Sequence, residues 1–129
     1  MDFHYTVPTS KTIMDTISSL EKNLQSNKFG VLWHLDLTAK LEEKGVDSYT
    51  SPFHILEVCN PVEAARVLNV NPIVGYFLPC KIAVYEEGGK TLIGLPKPTA
   101  MVGMLENEEL KTIAAEIEKT LIRVLDQSK

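Results

Sequence analysis

Few of the features that would place this 129-residue chain in a specialised class are present. It has 2 cysteines, too few for the disulfide scaffold of a small secreted domain, and a reducing compartment would keep both as thiols. No apolar stretch approaches the roughly 20 residues needed to span a bilayer. The opening Met-Asp-Phe-His-Tyr-Thr-Val lacks both the basic start and the apolar run of a secretory signal. With 13 basic and 17 acidic residues interspersed, and a net charge of -4, there is no basic stripe to neutralise phosphates and no polybasic membrane-surface segment. A phosphate loop, a dinucleotide fingerprint and the spacings of established Ser/His/Asp or Cys/His sites are missing too. These absences lead us to expect a cytoplasmic protein with no nucleic-acid partner, no membrane association and no cofactor. No internal repeat, low-complexity tract or linker divides the chain, so residues 1–129 read as a single domain.

What is present is a clear succession of hydrophobic periods. Residues 2–7 alternate, with Phe3, Tyr5 and Val7 on one side, and Pro8 is expected to end that strand. Thr9 or Ser10 would cap a helix carrying Ile13, Ile17, Leu20 and Leu24 at helical spacing, closed by Ser26-Asn27-Lys28. Residues 29–37 give a second strand with Phe29, Val31, Trp33, Leu35 and Leu37 facing one way. A short polar helix over 39–44, capped by Thr38, stops at Gly45.

The third strand, 53–59, is apolar on both faces and so should lie inside a sheet with both sides covered. Asn60 then caps a helix with Pro61 at its first position and Glu63 in its first turn, packed down by Ala64, Ala65, Val67 and Leu68. Asn71-Pro72 breaks that helix. Residues 80–86 and 91–95 form a hairpin turned at Gly88-Gly89. The prolines of Pro96-Lys97-Pro98 cannot continue a sheet interior, so 99–105 reads as a methionine-rich loop or edge element. Asn107 caps the last helix, whose stripe is Leu110, Ile113, Ala114, Ile117, Leu121, Val124 and Leu125.

This order implies an α+β fold, a mostly antiparallel sheet with two long helices on one face, covering Phe29, Val31, Trp33 and Leu35. The opposite sheet face would then expose apolar surface, to be covered by the short middle helices or by a second copy of the chain. A homodimer is therefore expected.

The stretch 58–105 holds both cysteines and most of the prolines and glycines. Its paired motifs, Cys59-Asn60-Pro61 and Leu78-Pro79-Cys80, together with Lys28-Phe29-Gly30-Val31, Lys44-Gly45-Val46, Ile55-Leu56, Gly75 and Val84-Tyr85-Glu86, resemble a bacterial and archaeal family known as domain of unknown function three-oh-two. The resemblance runs along nearly the whole chain. It implies a two-layer fold similar to that of the TATA-box-binding protein, β-α-β(4)-α, and implies no activity; nor does DNA binding transfer with a fold. Many members carry an Ile-Asp-Pro-like stretch after the fifth strand, where this chain has Pro96-Lys97-Pro98.

The candidate chemistry centres on Cys59 and Cys80, which flank the middle helix. Both fit small core residues; alternatively they form a redox or metal site, with the helix start at Asn60 favouring a Cys59 thiolate. Two cysteines without a Cys-x-x-Cys make a poor zinc signature. His4, His34 and Asp36 would cluster if they shared the sheet face away from the helices. Tyr76, Phe77, Met101 and Met104 line an apolar pocket or serve as core and dimer contacts.

Three readings follow. The first is a homodimeric binding or interaction module without a catalytic motif, the second a thiol-dependent redox or metal protein. The third is a binder of a small anionic or apolar ligand at the loop 94–104, where Pro79, Cys80, Cys59 and Asn60 would share a cleft with Met101, and Lys97 would select an anion.

Overall fold

The structure is a computed structural model that describes residues 2–129. Among the described residues five strands, β1 (His4–Thr9), β2 (Gly30–Asp36), β3 (Phe53–Cys59), β4 (Cys80–Glu87) and β5 (Lys90–Pro96), form one antiparallel sheet in the order β1-β5-β4-β3-β2. The helices are α1 (Ile13–Ser26), α2 (Leu37–Glu43), α3 (Pro61–Val70), α4 (Pro98–Val102) and α5 (Glu108–Ser128), with 3-10 turns over Pro72–Phe77 and Gly103–Leu105. The two long helices, α1 and α5, pack on each other and on one sheet face, which gives the two-layer α+β arrangement that the periodicities imply. Among the described residues, no helix is long and apolar enough to cross a membrane.

The core follows from alternation. Leu56 and Val58 of β3, Ile82 and Val84 of β4, and Ile93 and Leu95 of β5 point inward against Ile17, Leu20 and Leu24 of α1 and Leu121, Val124 and Leu125 of α5. A second, smaller cluster joins Val67, Val74, Val102, Leu110, Ile113 and Ala114 beneath the far half of α5. Side-chain caps start α3, where the chain leaves β3, and α5, after the turn that follows α4. Asn60 Oδ1 accepts from Val62 N and Glu63 N at 3.1 and 3.2 Å, and Asn107 Oδ1 from Leu110 N at 3.0 Å. The β4–β5 turn is closed by Gly88 and Gly89 at φ 60° and 77°, a conformation that side chains with a Cβ adopt only under strain.

Several local expectations are corrected. β1 runs through Pro8 to Thr9, because it is an edge strand whose unpaired side tolerates a residue without an N–H. The cap of α1 is Thr12, not Thr9 or Ser10, its hydroxyl accepting from Asp15 N at 3.1 Å. Asp36, not Thr38, caps α2 through Ala39 N at 3.0 Å. Only Val67 of α3 is buried; Leu68 remains exposed. Residues 99–105, expected as a loop or edge element, are helical, since Pro98 occupies the first position of α4, where its missing N–H costs nothing.

The largest correction concerns β2. Its pairing with β3 slips at Leu32: Val31 lies opposite Val58, but Trp33 lies opposite Glu57 and His34 opposite Leu56. A bulge of one residue turns every later side chain to the other face. Phe29 and Val31 are therefore under the helices as expected, whereas Trp33 and Leu35 face away from them, and His34 and Asp36 face the helix side. Of the two short middle helices expected to cover the opposite sheet face, α3 packs against α5 in the helix layer instead, and α2 packs beside β3.

Candidate functional site

The segment between α3 and β4 builds the wall of a cavity. Asn71 ends α3 and caps the next turn, its Oδ1 accepting from Ile73 N at 3.1 Å, and Leu78 N closes that turn on Gly75 O at 3.2 Å. This places Val74 inward and leads Leu78-Pro79 directly into Cys80 at the start of β4. The opposite wall is α4. Lys97 N donates to Phe3 O at 2.6 Å, and the backbone N and Oγ1 of Thr99 donate to Glu118 Oε1 at 3.0 and 2.6 Å, tying the first turn of α4 to β1 and to α5. Two turns of backbone so anchored hold Met101 and Val102 over the same space.

Between these walls lies a cavity of about 300 Å³. Val67, Val74, Leu78, Cys80, Met101, Val102, Ile117 and Leu121 line it, and Tyr76, Glu57 and Lys81 stand among its lining residues as the polar minority. That composition, mostly apolar with a few polar groups, is the ordinary make-up of a small-molecule site, and the volume is at the small end of such sites.

Of the residues singled out in sequence, the cavity brings together Pro79, Cys80 and Met101, along with Tyr76 and Phe77. Cys59 and Asn60 line a neighbouring void of about 20 Å³, which shares Cys80, Leu78, Val67 and Ile117 with the cavity. Asn60 also borders a polar cleft of about 200 Å³ with Asn27, Glu63 and Glu116. Lys97 and Met104 are outside the lining; Met104 is exposed, and Lys97 sits at the cap of α4. Among the lining residues that sequence reading passed over are Val67, Ala114, Ile117 and Leu121, which look like ordinary core positions because their periodicity is that of any buried helix face, and Val74 in the turn after α3.

Burial pushes the Cys80 thiol up to about 11, with the nearby Cys59 adding in the same direction. At neutral pH Cys80 is therefore an uncharged thiol, a polarisable apolar wall and a poor nucleophile. Both cysteines are free.

A separate cluster sits near the β2 edge. His34 Nε2 and His54 Nδ1 are 2.8 Å apart, and His54 Nε2 is 3.9 Å from Asp36 Oδ2. The bulge creates this group by turning His34 and Asp36 inward beside His54. His4 belongs to β1 at the opposite edge of the sheet, so the expected His4–His34 pairing does not form. The two contacts use opposite nitrogens of the His54 ring and do not converge on one point. Among the described residues, no group of three or more His, Cys, Asp or Glu is arranged to hold a metal ion.

The family profile described as "Domain of unknown function DUF302" matches residues 5–128. The chain belongs to the DUF302 family. It is also similar to an uncharacterized conserved DUF302 protein from Bacillus stearothermophilus, whose crystal structure superposes with a TM-score of 0.97 at 56% sequence identity, over 100% of both chains. No curated protein matches it. Neither the DUF302 description nor that of the similar structure assigns an activity.

Proposed function

We propose that this DUF302 protein is a single-domain, homodimeric binding module of the cytoplasm that holds a small, mostly apolar molecule between α4, α5 and the 76–80 segment. The observation that carries the reading is the cavity of about 300 Å³ with its apolar lining. Pro79, Cys80 and Met101 form part of its wall, and Cys59 and Asn60 support that wall from the adjoining void. Lys97 is outside the lining, so the anion selection expected of it is not part of this reading. Against a thiolate enzyme stands the neutral state of Cys80.

Indole and octanoate serve as probes of the two shapes such a space accepts. Either one, present at about 100 times its dissociation constant, should raise folding stability by roughly 2.7 kcal/mol, read as a higher melting temperature. Filling the space with Ala114→Leu should abolish the effect. An unchanged melting temperature with both probes and other small apolar compounds, or equal shifts in the filled variant, would contradict the reading.

A further inference from the structure

The sheet face turned away from the helices shows what a second copy would pack against. Alternation along each strand assigns Trp33 and Leu35 of β2, Phe53 and Ile55 of β3, Tyr85 of β4 and Leu92 of β5 to this outer face. They form a continuous stripe across four strands, and Phe53 and Tyr85 are stacked with ring centroids 4.9 Å apart. Trp33 is 53% exposed. Without the bulge at Leu32 its register would send Trp33 inward, so the distortion of β2 adds an exposed aromatic to a face on which Leu35, Phe53, Ile55, Tyr85 and Leu92 are half-buried.

Resting on the dimer reading above, we infer that this outer face is the surface through which two copies associate, sheet against sheet. Charge favours a copy of the same chain over other occupants. The charged residues that the register assigns to this face are the cross-strand partners Glu57 and Lys81 at one end and Glu87 and Lys90 at the other, equal numbers of both signs. The chain's net charge of -4 is thus carried elsewhere, and two such faces meet without net repulsion, each end offering both signs to its mate. A nucleic acid would instead need an excess of cations there. In size, five strands spaced about 4.8 Å apart and about seven residues long at about 3.3 Å each give roughly 500 Å² in plan. Side-chain relief raises that figure toward the roughly 800 Å² per partner of a standard stable interface. An isologous contact needs only one such self-complementary patch.

Trp33 is the only tryptophan, so its fluorescence reports this face alone. The experiment dilutes the protein from about 100 micromolar downward while light scattering gives the mass and acrylamide quenching gives the accessibility of Trp33. The inference predicts that Trp33 is shielded in the dimer and becomes several-fold more quenchable over the concentration range in which the mass halves. Where dilution does not split the dimer, Trp33 should stay shielded throughout, and Ile55→Lys should yield a monomer with an unchanged far-ultraviolet circular dichroism spectrum. A dimer in which Trp33 is fully quenchable overturns the assignment of the face while leaving the dimer standing. A monomer at every concentration overturns both. Shielding of Trp33 that appears only on adding duplex DNA overturns the inference in favour of a nucleic-acid surface.

Discussion

Of the three histidines, His54 alone is buried, and its surroundings tie the protein's stability to pH. Burial pushes the His54 imidazole below its ordinary value; the Asp36 carboxylate opposes that shift and His34 adds to it. The unfolded chain takes up a proton near 6.5, and the native one only at lower pH. Stability contributed by neutral His54 is therefore complete above 6.5 and drains away as pH falls through 6.5 toward the lowered native value. Urea unfolding between pH 7.5 and 5 should show this loss, and His54→Gln should flatten it; a wild-type curve level over that range would refute the assignment. Cys80 offers a second test at this scale. With its pKa near 11, it should resist iodoacetamide at pH 7.5 in the folded Cys59→Ala variant and react once the chain is unfolded. Cys80→Ala should cost about 1–2 kcal/mol through lost packing.

At the scale of elements, capping and periodicity decide most of the fold. Asn60→Ala should destabilise the protein by about 1 kcal/mol, because Val62 N and Glu63 N lose their acceptor, and denaturant titration would register this as a lower midpoint with an unchanged slope. The same chemistry explains what sequence alone reveals. The stripes of α1 and α5, the glycine turn of the hairpin and the caps Asn60 and Asn107 each depend on neighbours a few residues away, so local pattern is enough to make them legible. The bulge at Leu32 is not legible in this way. Residues 29–37 alternate as written except at Leu32, and only the pairing with β3 requires the slip there that turns Trp33 outward and brings His34 to His54. Pro98 likewise reads either as a sheet stop or as a helix start, and the anchoring of Thr99 to Glu118 selects the helix. The candidate site is legible in part for a similar reason. Pro79, Cys80 and Met101 meet because the hairpin returns the chain to the start of β4. Lys97, between two prolines of the wall, falls at the N-cap position of α4 outside the lining, and the lining residues from α3 and α5 come from distant segments whose approach no local pattern encodes.

For the whole molecule, one sheet separates the helix side from the outer side. The helix side closes over the core and leaves the cavity at one end; the outer side carries the apolar stripe that we assign to a second copy. Glu57 and Lys81 touch both, since they line the cavity and belong to the outer face. Association of two copies and occupancy of the cavity are therefore expected to be coupled, each favouring the other if both order that rim. The central functional claim is that the cavity admits a ligand. Methyl-resolved NMR of the wild-type protein during titration with indole tests it most directly, since it reports where the probe sits as well as whether it binds. The predicted result is saturable shifts concentrated on the methyl groups of Val67, Val74, Leu78, Met101 and Ile117, with those of Leu20 and Leu24 in the opposite half of the core unmoved. Shifts spread evenly over the surface, or confined to Leu32 and Leu35 on β2, would contradict it.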